Sequence, residues 1–264
     1  MIPAMHVSKD GKISASIQVI TGDHAWWQEY TYSLFSASRN SLCIKIGDNV
    51  FSEAGLVLNI EREGLSLHGR LKFGSFHSLK SDIMGPFGLV ANMECAHCVI
   101  SMRHTLEGKL ELNGDVLDFG GGAGYIEGDR GRSFPSAYLW TQCMWENCSL
   151  MLSAARIPIG KIHFTGCICA MILNGQEYRF ATYHGARIQN WSSKGAVLRQ
   201  GKYLLEVKLL EQNPQKLRAP SDGAMNRTVH ESLCAKVRYR FRKAGELLFD
   251  HTDEYAGFEW ANIS

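Results

Sequence analysis

Residues 120–143 hold the densest set of side chains able to do chemistry: Gly-Gly-Gly-Ala-Gly-Tyr-Ile-Glu-Gly-Asp-Arg-Gly-Arg-Ser-Phe-Pro-Ser-Ala-Tyr-Leu-Trp-Thr-Gln-Cys. On an extended chain, side chains alternate between faces, so Tyr125, Glu127 and Asp129 share one surface. A buried carboxyl beside a second one rises above its ordinary pKa of about 4, so one of such a pair stays protonated near neutrality and can donate a proton. Glu127 and Asp129 are that pair, with Arg130 holding the other member ionised. A plainer role for the same residues is ion pairing with Arg130 and Arg132 to pin a loop. Beyond Phe134-Pro135, Tyr138, Trp140 and Gln142 share a face of a second extended run, with Leu139, Thr141 and Cys143 on the other. Aromatic faces attract a developing cation by about 0.5–2 kcal/mol each, and Gln142 can hydrogen-bond a polar head group. The same aromatic residues also suit an ordinary strand core.

The elements that position these groups are short and β-like. The glycine run at 120–124 predicts a tight bend feeding a strand. Residues 13–20, 41–46, 55–61 and 65–73 read as strands, the last alternating Leu65, Leu67, Leu71 and Phe73 with Ser66, His68, Arg70 and Lys72. Residues 26–32 fit a strand or a helical turn, and 73–93 form an irregular crossing, either a lid or a connection. Asn113-Gly114 and Asn174-Gly175 are type I′ turn signals between strand runs. Only 222–233 suggests a short helix, whose polar residues Asn226, Arg227, His230 and Glu231 equally suit a cavity mouth. More than ten short strands with turn signals every 8–12 residues predict an all-β sandwich or barrel, favoured here as two barrel-like halves meeting near Phe119.

Composition narrows the function. The 264 residues carry a net charge of only +2, without the basic stripe that nucleic acid demands. The longest uncharged apolar run, 164–173, is half a membrane span, and the first residues lack a signal-peptide layout. A soluble, cytoplasmic protein is expected. The eight cysteines are irregularly spaced and read as free thiols. Cys95-Ala96-His97-Cys98 is metal-like, but no second Cys-x-x-Cys completes a site, so no metal is predicted.

The pattern Tyr125-x-Glu127-x-x-x-Gly131-x-x-Phe134-Pro135-x-x-x-x-Trp140-x-Gln142-Cys143 resembles the signature of the tocopherol cyclase family. The similarity extends to Met93-Glu94-Cys95-Ala96-His97 and Leu217-Arg218-Ala219-Pro220 and covers most of the chain. Plant members carry Asn at the position of Asp129 and Trp at that of Arg130. They also begin with an aromatic strand ahead of the point matching Ile2-Pro3, so one strand is expected to be missing or the start to be a late methionine.

The resemblance implies two successive antiparallel lipocalin-like β-barrels, divided as residues 1–118 and 119–264, with an apolar cavity in at least one. It implies acid-initiated cyclisation of a prenylated phenol or other isoprenoid lipid, without metal or redox cofactor. Glu127, Asp129 and His97 are then the catalytic candidates. Tyr125, Arg130, Tyr138, Trp140, Gln142 and His184 are the substrate-binding candidates. Arg130 leaves room for an acidic head group. Two other functions fit such a fold: a non-catalytic isoprenoid carrier, and a hydratase or cyclase using the same alkene protonation.

Overall fold

A computed structural model describes residues 1–89, 93–159 and 162–262; residues 90–92 of the irregular crossing lie outside them. The strands form three antiparallel sheets. The first is a ribbon of Ile2–Val7, Ile13–Ile20 and Ala25–Thr31. The second runs from Asp115–Asp118 through Cys95–Leu112, Leu65–Phe73, Gly55–Arg62, Asn49–Ser52 and Cys43–Ile46 to Phe35–Ala37, and Gly122–Gly131 also pairs with Cys95–Leu112. The third runs from Gln176–Ala181 through Ile162–Leu173, Cys148–Ile159, Ala137–Trp145, Glu246–Asn262, Ala224–Lys243, Tyr203–Glu211 and Gly195–Gln200 to Arg187–Ser192. Sheet membership therefore changes between Gly131 and Ala137, at the Phe134-Pro135 break.

Local sequence explains most turns. Asn113 (φ 53°) with Gly114 (φ 91°), and Asn174 (φ 50°) with Gly175 (φ 76°), occupy the left-handed region that a type I′ hairpin requires. The segment left open at 26–32 is mostly the strand Ala25–Thr31, followed by a 3-10 turn, Tyr32–Leu34. The helix expected at 222–233 is absent. Asp222 (φ 52°) and Gly223 (φ 84°) make a turn, and the 20-residue strand Ala224–Lys243 follows. Its start is zipped to Gln215–Ser221, with Arg227, Val229 and Glu231 less exposed than Asn226, Thr228 and His230. That period of two satisfies the backbone in a ladder, and a helix there would leave both strands unpaired.

The third sheet curls on itself. No backbone ladder among the described residues joins its ends, but the Gln200 side chain reaches from the next-to-last strand to the first, accepting from the Ala181 amide at 3.1 Å and donating to the Arg179 carbonyl at 2.9 Å. Its interior is filled by Leu139, Leu150, Leu152, Phe180, Leu198, Leu205, Tyr239, Phe241 and Phe258. Leu58, Ile60, Leu65 and Leu67 of the second sheet pack on Ile17 and Tyr30 of the ribbon. A third cluster joins the two large sheets: Ile83, Met84 and Met102 meet Met151, Ile168 and Ala170, with Val99, Tyr125 and Tyr183 at its edge. Among the described residues no helix is long and apolar enough to cross a membrane.

Candidate active site

The glycine run does what its composition predicts. Gly121 turns at φ 76°, the Gly122 amide donates to the Phe119 carbonyl at 2.9 Å, and the strand Gly122–Gly131 begins there. This strand lies beside Cys95–Leu112 with Asp129 opposite His97 and Glu127 opposite Val99. Alternation then brings the predicted groups together. The Tyr125 hydroxyl donates to Glu127 Oε2 at 2.6 Å. His97 Nδ1 is 2.9 Å from Asp129 Oδ1, and its Nε2 is 3.2 Å from Glu127 Oε2. The second contact is off the hydrogen-bond line, since Nε2 has no bonded partner among the described residues, so it acts through charge. Cys95 Sγ donates to Asp129 at 3.3 Å, while Cys98 is exposed on the other face.

The site spans the seam between the two large sheets. Trp140, from the third sheet, donates its indole N–H to Glu127 Oε2 at 3.1 Å. Its six-membered ring lies over Gly257, where a Cβ would come within 2.7 Å of ring carbon Cζ3. Glu127 thus receives a phenol and an indole N–H, with an imidazole alongside.

Electrostatics fixes the histidine. Burial disfavours a charge on His97, but the nearby negative Glu127 and the hydrogen bond to Asp129 outweigh it and push the imidazole up to about 10. His97 is a cation clamped between two carboxylates at neutral pH. The charge partner expected of Arg130 is therefore His97: Arg130 is exposed, and no ion pair among the described residues joins it to Glu127 or Asp129. Burial and the Glu127 charge push the Tyr125 phenol well above its ordinary value, so it remains a donor.

A second polar group continues from Trp140. Trp140 lies opposite Glu259, and Glu259 lies opposite Glu231, so the three form one cross-strand row. Tyr138 donates its hydroxyl to Glu259 Oε1. The Arg227 guanidinium lies 5.6 Å from the centre of the Tyr138 ring. Arg227 Nη1 holds the carbonyls of Phe134 and Pro135 at 2.9 and 3.0 Å. Its Nε and Nη2 are buried without partners among the described residues, as is Gln142 Nε2. Burial first, then neighbouring carboxylates, raise both Glu231 and Glu259 above the usual carboxyl range.

Glu259 was not a sequence candidate, and Glu231 was noted only within the presumed helix. The available signal was a lone carboxyl between Phe258 and Trp260 in an otherwise apolar stretch. His184 stands apart from the cluster, exposed on the 3-10 turn Thr182–His184 with its ring against Tyr183. Two clefts of about 190 and 240 Å³ open beside the N-terminal ribbon around Trp27 and Arg218, and neither is lined by the Glu127 group.

Comparison with known proteins bears on the fold and the family. Across nearly its whole length the chain is similar in fold to three solved structures. A kievitone hydratase from Nectria haematococca matches at TM-score 0.50 and 8% identity, over 98% of this chain and 88% of that one. CghA, solved with Sch210972, matches at 0.59 and 10%, over 96% and 80%. A protein assigned as AttH from Nitrosomonas europaea matches at 0.52 and 12%, over 97% and 90%. No curated protein sequence matches the chain. The family profile described as Tocopherol cyclase-like matches residues 74–261, which hold the whole Glu127 group and the Glu231–Glu259 row, and the chain belongs to that family.

Proposed function

We propose that the chain is an enzyme that transfers a proton to a hydrophobic small molecule, closing a ring in a prenylated phenol or another isoprenoid lipid by acid-initiated addition. The observation that carries this is the convergence of Tyr125, Trp140 and His97 on Glu127 at the seam between the sheets. Such a carboxylate is oriented and ready to exchange a proton with a bound phenol. His97 and Asp129 position it. Tyr125, Tyr138 and Trp140 supply the aromatic wall for the cation, and Gln142, whose buried amide nitrogen is unpartnered, donates to the polar head group. Arg130 and His184, both exposed, serve at the rim. In the same reading the chain folds as two lipocalin-like barrel halves, residues 1–118 and 119–264, with the strand Gly122–Gly131 of the second half paired to the sheet of the first, and it works in the cytoplasm. The same machinery hydrates the alkene if water takes the place of the phenol oxygen, and the likeness to a kievitone hydratase fits that variant.

The test is incubation with a prenylated hydroquinone and chromatography for a ring-closed product of unchanged mass. Wild type should produce it, and Glu127→Gln, still folded, should lose about 10²-fold or more in turnover. Binding without conversion by wild type would favour a carrier and sink the enzyme reading.

A further inference from the structure

We infer that the facing carboxyl pair of half-buried Glu231 and buried Glu259 is the proton donor of this site, and that Glu127 is the acceptor of the phenol proton. This rests on the proton-transfer reading above. The two carboxyls sit directly opposite each other on neighbouring strands, where facing Cβ atoms are about 5 Å apart. Two like charges so placed repel each other, so the pair holds at least one proton near neutrality and gives it up only to a strong enough demand. Glu127 has the opposite surroundings, two hydrogen-bond donors and a cationic imidazole. Carboxyls in such contrasting settings divide into acid and base.

The neighbours support the division. Glu231 faces the charge of Glu127 and the amino group of Met1. Glu259 faces Glu231, Asp129, Tyr138 and Arg227. Burial and the carboxylates favour the protonated form, and Arg227 and the amino group oppose it. Arg227, a charge neighbour of Glu259, has two buried N–H groups without partners among the described residues, which are available to the carboxylate created when the proton leaves.

The step balances without a co-reactant. The carboxylic O–H breaks, and its proton bonds to an alkene carbon through the π pair, leaving a tertiary cation and a Glu231–Glu259 carboxylate. A phenol oxygen lone pair closes the C–O bond, and the phenol proton passes to Glu127. Glu127 releases that proton to solvent, solvent returns one to the pair, and nothing is oxidised or reduced.

The experiment combines infrared titration of the full chain with turnover of a prenylated hydroquinone. Wild type should show a protonated-carboxyl band at pH 7 that vanishes on alkalinisation, with turnover falling over the same pH range. The band should persist in Glu127→Gln and be lost or moved to lower pH in Glu231→Gln and Glu259→Gln. Glu231→Gln should lose about 10²-fold in turnover, with part recovered by Glu231→Asp. Should the amide variants not fold, the wild-type band and turnover decide the matter, and titration over separate ranges overturns the proposal. Turnover without the band, or folded amide variants with wild-type turnover, overturns this proposal alone. A band without any wild-type turnover removes the proton-transfer reading, and this assignment with it.

Discussion

Glu127 gains its character from residues that a two-residue period brings to one face. Tyr125, Glu127 and Asp129 are readable from the sequence because alternation is a local property of a strand. The neighbours that complete the group are not local. His97 arrives through the pairing of Gly122–Gly131 with Cys95–Leu112, and Trp140 through sheet-to-sheet packing. The Glu231–Glu259 pair was invisible as a pair for the same reason, since only the ladder between two long strands places these carboxyls face to face. Gly257 offers a residue-scale test. A methyl group there meets the Trp140 ring at 2.7 Å, so Gly257→Ala should push the indole off Glu127. Losing a hydrogen bond to a charged group costs about 1.5–3 kcal/mol. Turnover should fall about tenfold or more, with a shift in tryptophan fluorescence; unchanged values for both would show that Trp140 does not matter.

Among elements, the turns and the stable strands were the readable part. Asn-Gly at 113–114 and 174–175 fixes positive φ by itself, and the alternation from Leu65 to Phe73 fixes a half-buried strand. The segment after Asp222 misled because its polar residues suit either period, and pairing with Gln215–Ser221 decided the outcome. The Gln215–Ser221 strand itself carries Pro220, a weak strand signal in sequence. The strand Cys148–Ile159 anchors the curled sheet by burying Leu150 and Leu152 completely. Leu150→Ala should destabilise the fold by about 2–5 kcal/mol in denaturant titration. A loss below 1 kcal/mol would mean that the curled sheet collapses around the deletion or does not carry the stability.

For the whole molecule, the seam charges set a pH dependence. His97 is raised on folding from 6.5 to about 10, so its contribution is full below about pH 6.5 and lost as pH rises through about 10. Glu231 and Glu259 are also raised; for acids this means the folded state holds protons that the unfolded chain releases above about pH 4.5, so stability again falls as pH rises. Both effects have the same sign. The melting temperature should therefore drop steadily from pH 6 to pH 9, and Glu231→Gln should flatten part of that slope. A melting temperature that rises over this interval would contradict the charge arrangement.

A solvent-exchangeable proton that this seam delivers to an alkene leaves an isotopic mark in the product. In D₂O, the ring-closed product formed from a prenylated hydroquinone should carry one deuterium on the carbon that was alkene, and Glu127→Gln should form little of it. A ring-closed product free of carbon-bound deuterium, or no product from the folded wild type, would rule out proton delivery from the seam to the alkene.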